Sequence, residues 1–120
     1  MFGGSPQIAD PQSLIFSPAV LIALANPQPT IGVIDWYALG LLACAAFAII
    51  AFCLDQRWHP IGAATAGLSF AFGSSASWRV QHVGQIQSYA LFALALWLLA
   101  RALDRRSPAW ALAAGLAAGM

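Results

Sequence analysis

Long apolar stretches alternate with short polar breaks along this chain, and the alternation predicts helices. The first uncharged stretch covers residues 36–54, between Asp35 and Asp55. A helix of that length measures roughly 28 Å, which is close to the thickness of a bilayer core. Further apolar stretches that predict helices cover residues 61–78, 83–103 and 108–120. The last is too short to cross, so we expect an all-α, polytopic transmembrane bundle with a truncated final helix.

Residues at the expected helix ends support these limits. Asp35 precedes the first apolar stretch and is expected to cap its first turn by accepting from free backbone amides. Pro60 and Pro108 suit the first helical position, and Ser107 supplies a cap before Pro108. The first, second and fourth predicted helices therefore each have a start signal at their amino termini.

Small residues recur at helical spacing in two of the predicted helices. The first ladder consists of Ala63, Gly67, Ala71 and Ser75, and the second of Ala111, Gly115 and Gly119. Small side chains let two helix backbones approach closely. Both ladders predict a helix–helix contact.

Residues 1–34 differ from the rest of the chain, because they hold five of its seven prolines and no basic residue. We expect an extracytoplasmic loop here, followed by the membrane region over residues 35–120. Residues 13–25 are apolar, too short to span and interrupted by Pro18, which favours a helix lying along the membrane surface. A short buried helix of a larger external domain is the alternative.

Composition agrees with a membrane protein, since 61% of the residues are hydrophobic and 8% are charged. A net charge of +1 argues against a nucleic-acid surface. Cys44 and Cys53 lie nine residues apart in one predicted helix, roughly 13 Å along its axis, so they cannot form a disulfide with each other.

The arginines predict the orientation of the chain in the plasma or inner membrane. One side of the predicted bundle holds Arg79, and the other side holds Arg57, Arg101, Arg105 and Arg106. Because basic residues favour the cytoplasmic side, residues 1–35 and 77–85 are expected to be extracytoplasmic.

The polar sequence "SWRVQHVGQIQSY", residues 77–89, is a candidate binding site on that outer side. If residues 78–89 are helical, one face carries Arg79, His82, Gln85 and Tyr89. Such a face suits an anionic, hydroxyl-rich ligand, because Arg binds phosphate oxygens and His and Gln bind phosphate or sugar. The alternative is a solvated turn in which Arg79 reaches lipid phosphates and the glutamines face water.

Asp10 lies in the loop sequence "GGSPQIADPQS" and also has two interpretations. An Asp-Pro pair ordinarily forms a turn. As a functional group, the Asp10 carboxylate could bind a divalent cation or accept a proton from a sugar hydroxyl. His59, beside Pro60 in the cytoplasmic turn, is interpreted as structural.

Two segments of the chain resemble the YfhO-type bacterial membrane proteins, which belong with the GT-C glycosyltransferases. They are "FGGSPQIADPQSLIFSP" and "LSFAFGSSASWRVQHVGQIQSYALFALALWLLARALDRRSPAWALAAGLAAGM". In the loop, the residues that match the family pattern are Gly4, Pro6, Asp10, Pro11 and Gln12, and His82 matches the external turn. The acidic residue typical of the family's first external loop, close behind its first helix, has no counterpart here.

The resemblance implies part of a polytopic enzyme that transfers sugar from a polyprenyl-phosphate donor at the outer membrane face. Its partners would be membrane lipid, the lipid-linked sugar and the remaining transmembrane helices of a longer chain. In that interpretation Asp10 is catalytic, and Arg79, His82, Gln85 and Tyr89 bind substrate. A transporter or flippase for lipid-linked sugars, or a purely structural helical hairpin, are the alternatives.

Overall fold

The computed structural model describes residues 17–26, 28, 30–73 and 82–120, and the regular structure within these residues is α-helical. The helices are α1 (Ala19–Ala25), α2 (Ile31–Asp55), α3 (Pro60–Phe72), α4 (Val83–Arg105) and α5 (Pro108–Gly119). The predicted all-α class is confirmed for this part of the chain. By length and composition, α2 and α4 could cross a membrane, whereas α3 and α5 are shorter apolar helices.

Helix α2 begins earlier than its hydropathy suggested. Thr30 is the N-cap residue, with extended backbone angles, and the helix starts at Ile31. Asp35 is an exposed residue inside the helix, so the prediction that it caps α2 is wrong. The reason is that the apolar residues between Thr30 and Asp35 continue the helix toward the amino terminus, and a negative charge is tolerated near this end of a helix.

Helix α3 is shorter than the predicted stretch 61–78. It ends at Phe72, and Gly73 follows in an extended conformation with ψ 165°. Residues 74–81 lie outside the described residues. The 13 residues of α3 measure about 20 Å along the axis, less than a bilayer core of roughly 30 Å. The prediction of a crossing helix over 61–78 is therefore not met by α3 itself.

Helices α2 and α4 run in the same direction. Tyr37 Oη donates to Gln87 Oε1 over 2.8 Å, and Leu42 packs against Ile86. Further along both helices, Asp55 is paired with Arg101. Thr30 and His82 therefore lie at one end, here called the amino end. The turns over residues 56–59 and 106–107 lie at the other, here called the basic end.

Alanine fills the contact between α2 and α4. A buried cluster combines Ala45 and Ala48 of α2 with Ala90 and Ala93 of α4, and Phe70 of α3 packs against it. Because alanine is small, the two backbones approach closely. The core consequently lies between helix backbones and contains few large side chains.

The first small-residue ladder is confirmed for its described members, since Ala63, Gly67 and Ala71 are all buried. A β-carbon added at Gly67 would lie 2.5 Å from Cγ1 of Ile50 and 2.8 Å from the carbonyl oxygen of Ala46. Gly67 thus allows α3 to lie directly on α2. Ser75, the last member of the ladder, is outside the described residues.

The second ladder does not form the contact that was predicted for it. Ala111, Gly115 and Gly119 are exposed. Helix α5 instead packs through Ala114 and Ala117 against Leu98 of α4. Because α5 carries small residues on several faces, the shape of α4 decides which face is buried.

Candidate functional site

The structure describes His82, Gln85 and Tyr89 of the predicted site, whereas Asp10 and Arg79 lie outside the described residues. His82 is the N-cap residue of α4, with extended backbone angles and no capping bond from its side chain. Since α4 begins at Val83, His82 precedes the first turn and does not share a helical face with the later residues. Its side chain is exposed at the amino end.

Gln85 and Tyr89 lie one turn apart on α4 but have different surroundings. Gln85 is exposed. Tyr89 stacks on Phe70 of α3, with ring centroids 4.3 Å apart, and its hydroxyl donates to the Phe70 carbonyl oxygen over 2.6 Å. That carbonyl belongs to the last turn of α3, where backbone acceptors lack helical partners. Tyr89 therefore joins α3 to α4, and its predicted contact with substrate stays a prediction.

The amino end presents the imidazole of His82 and, three residues later, the carboxamide of Gln85. The backbone N–H of Gln85 donates to the carbonyl of His82 over 2.9 Å, which fixes the first turn of α4 beneath both side chains. An exposed imidazole and amide can each hydrogen-bond to phosphate or to a sugar hydroxyl. They serve a solvated turn equally well, so both interpretations of this segment stay open.

Gln87 is a polar residue whose role the sequence pattern did not reveal. Its side chain is 1% exposed. It accepts a hydrogen bond from Tyr37 of α2 over 2.8 Å and donates to the carbonyl oxygen of Met120 over 3.2 Å. One feature of the sequence could have indicated that Gln87 is buried: it lies three residues before Ala90, on the face of α4 that carries small apolar residues. Gln87 thus links α4 both to α2 and to the residue that follows α5.

Asp55 and Arg101 form the most connected polar group at the basic end. Arg101 Nε and Nη2 donate to the two carboxylate oxygens of Asp55 over 2.6 and 3.1 Å, and Trp97 Nε1 donates to the same carboxylate over 2.8 Å. The Arg101 guanidinium lies 4.8 Å from the Trp97 ring centroid and 5.2 Å from that of Trp110. These side chains connect α2, α4 and α5.

Sequence spacing predicts the proximity of Trp97 and Arg101 but not that of Asp55. Trp97 precedes Arg101 by one helical turn, which placed the two side chains together from the start. The partner Asp55 lies 46 residues away in sequence, and only the parallel arrangement of α2 and α4 brings it to Arg101.

Residues that bind metals do not assemble in the described ranges, where no group of three or more His, Cys, Asp or Glu side chains occurs. Cys44 and Cys53 are both free, as their spacing required. His59 Nδ1 accepts from the backbone N–H of Ile61 over 3.3 Å, which confirms its structural interpretation at the start of α3.

No protein-family model, curated protein or solved structure matches this chain. The described residues define an all-helical protein with two helices long and apolar enough to cross a membrane.

Proposed function

We propose that the chain is an integral membrane protein whose helices α2 and α4 cross the bilayer. The supporting observation is the distribution of side-chain size: Phe47 and Phe92 are 72% and 65% exposed, whereas Ala45 and Ala93 are fully buried. In water, each exposed side chain as large as Phe forgoes about 1.5–3 kcal/mol of burial free energy. In a hydrocarbon solvent that loss disappears.

Large apolar side chains are exposed along the length of α2 and from Phe92 onward on α4. On α2 they are Trp36, Leu39, Phe47 and Leu54, and on α4 they are Phe92, Leu96, Leu99 and Leu103. Soluble monomers rarely expose continuous apolar surface on this scale. Packing through small residues, with large residues outside, is the arrangement that membrane helices favour.

The parallel directions of α2 and α4 require the chain to return to the amino end between residues 56 and 82. Helix α3 accounts for about 20 Å of that return. In a membrane, this geometry supports placing Thr30 and His82 at one aqueous surface and the Asp55–Arg101 pair at the other.

The proposed activity is transfer of sugar from a polyprenyl-phosphate donor at the amino end, as part of a GT-C-type glycosyltransferase. The excess of arginine at the basic end favours a cytoplasmic position for it, which leaves the amino end outside. There, His82 and Arg79 would stabilise the negative charge that develops on the departing lipid phosphate. Asp10 would accept the acceptor's proton or orient a divalent cation.

A transporter of lipid-linked sugars is the main rival, and the placement of polar side chains argues against it. Transporter sites lie near the middle of the bilayer on interrupted helices. In the described residues, His82 and Gln85 lie at the amino end, and Asp55 and Arg101 lie at the basic end. An enzyme that acts on a headgroup at the membrane surface fits this distribution better.

The two histidines provide a matched test of the proposed activity. Each is the N-cap residue of a helix, His82 at the amino end and His59 at the basic end. In membranes that contain the full protein and a polyprenyl-phosphate-linked sugar, we expect His82→Ala to reduce transfer per molecule about 100-fold. His59→Ala should leave it unchanged. Equal transfer by both variants would remove His82 from the site, and no transfer by the unmodified protein would contradict the enzyme.

A further inference from the structure

Three guanidinium groups at the basic end form no ion pair with a carboxylate in the part of the chain that the structure describes. Arg57, Arg105 and Arg106 are all exposed. The nearby Asp55 carboxylate is already occupied by Arg101 and Trp97. The basic end therefore has positive charge that the fold itself does not neutralise.

The three arginines lie close in sequence to the two members of the Asp55–Arg101 pair. Arg57 follows Asp55 by two residues, and Arg105 follows Arg101 by one helical turn. The guanidinium carbon of Arg105 lies 5.9 Å from the Trp110 ring, the same ring that Arg101 approaches. Because the ion pair joins the ends of α2 and α4, it holds the two basic turns at one surface.

Two of the three arginines, Arg57 and Arg106, have an unusual backbone conformation. Arg57 has a φ of 60° and Arg106 a φ of 47°, both in the left-handed region. Glycine is the residue favoured where a helix ends in this conformation, and a side chain there costs roughly 1–2 kcal/mol. Both turns thus carry a guanidinium group where a neutral glycine would be more stable.

Tryptophan accompanies the positive charge at the same end. Trp58 follows Arg57 and is 56% exposed, and Trp110 contacts the guanidinium groups of Arg101 and Arg105. Indole side chains prefer the headgroup level of a bilayer. The combination of exposed arginine and indole suits a surface that is anionic on one side and apolar on the other.

We propose that the basic end binds the phosphate headgroup of an anionic phospholipid, with Arg57, Arg105 and Arg106 as donors. Guanidinium groups form paired hydrogen bonds to phosphate oxygens. The exposed Asp104 carboxylate precedes Arg105 directly and opposes this binding by like-charge repulsion. The inference rests on the proposed membrane location, and it concerns the surface opposite to the proposed sugar site.

The test compares spin-labelled phosphatidylglycerol with spin-labelled phosphatidylcholine around the reconstituted chain. Both leaflets have the same phosphatidylcholine composition, so a change in the orientation of the protein does not affect the result. We expect the motionally restricted lipid to favour phosphatidylglycerol. In the combined variant Arg57→Gln, Arg105→Gln and Arg106→Gln the preference should fall by roughly fivefold for each arginine removed. Asp104→Asn should increase it.

Three results would overturn the proposal. The first is equal restriction of the two lipids by the unmodified chain, and the second is a preference that survives in the combined variant. The third is displacement of the labelled phosphatidylglycerol by free inorganic phosphate, which would indicate a site for a soluble anion. Helicity measured by circular dichroism checks that the variant is folded. Restricted lipid without headgroup preference would contradict this inference alone, whereas a complete lack of restricted lipid would also contradict the membrane location.

Discussion

Gly67 sets the distance between α2 and α3. Its backbone lies so close to α2 that an added β-carbon would meet both Ile50 and the carbonyl oxygen of Ala46. The Ile50 side chain can rotate away, but the carbonyl is part of the α2 backbone and cannot move without shifting the helix. Overpacking of this kind typically costs 1–3 kcal/mol.

We therefore expect Gly67→Ala to lower the free energy of unfolding by about 1–3 kcal/mol in detergent micelles. Gly62→Ala is the matched control on the same helix, because no atom lies within 4 Å of its added β-carbon. Alanine has the higher helix propensity, so Gly62→Ala should be neutral or stabilising by up to about 1 kcal/mol. Equal stability of the two variants would contradict the close contact.

Gln87 and Gln85 are two residues apart on α4, yet one is buried and the other exposed. Replacing Gln87 by Leu removes the hydrogen bonds to Tyr37 and Met120 and leaves both partners unsatisfied. We expect Gln87→Leu to cost about 1 kcal/mol of unfolding free energy, and Gln85→Leu to cost close to none. A double-mutant cycle with Tyr37→Phe should give a coupling of about 0.6 kcal/mol. Zero coupling would contradict the bond.

The glutamines also show a limit of sequence analysis at this scale. Both belong to one polar segment, and composition gave no reason to separate them. Their different burial follows from the contact between α2 and α4, which brings Tyr37 to Gln87. Helical spacing from Gln85 predicts that Tyr89 lies on the candidate binding face, and the structure adds that its ring stacks on Phe70. The surroundings of Gln87 and of Tyr89 are thus set by residues that are distant in sequence.

The helix starts that are set by proline could be predicted from the sequence. Helix starts and ends that are set by other residues were harder to predict. Pro60 and Pro108 are the first residues of α3 and α5, as their fixed φ requires. Ser107 is the N-cap residue of α5, although its side chain makes no capping bond. Asp35 looked like a cap, but the apolar residues before it extend α2. Similarly, the sequence of α5 alone does not determine which of its faces packs, because that depends on the shape of α4.

The ion pair between Asp55 and Arg101 holds the ends of α2 and α4 together, and Trp97 and Trp110 attach α5 to it. We expect Asp55→Asn to lower Tm and to shift the tryptophan emission, because Trp97 loses a charged acceptor. The difference should shrink in high salt, which screens partly exposed charges. Asp104→Asn is the control, since Asp104 is exposed and has no guanidinium partner among the described residues. A larger Tm loss in Asp104→Asn would contradict this assignment.

At the scale of the whole molecule, hydropathy identified the two helices that, among the described residues, are long and apolar enough to cross a membrane. Their relative direction was also implied, because three crossings place the starts of the first and third on one side. The described α3 is shorter than a crossing helix. The path that brings the chain from the basic end back to the amino end therefore does not follow from the length of the apolar stretch alone. The site at the amino end depends on that return, since it sets where His82 lies relative to the start of α2.

Cysteine labelling tests the central claim most directly, which is that α4 crosses the membrane with His82 outside and the arginine-rich turn inside. In a chain with Cys44→Ala and Cys53→Ala, single cysteines at Gln85→Cys and Asp104→Cys would lie about 28 Å apart along α4. We predict that a membrane-impermeant maleimide labels Gln85→Cys in intact cells and Asp104→Cys only after permeabilisation. Equal labelling of both positions in intact cells would contradict the crossing, and with it the proposed outer site.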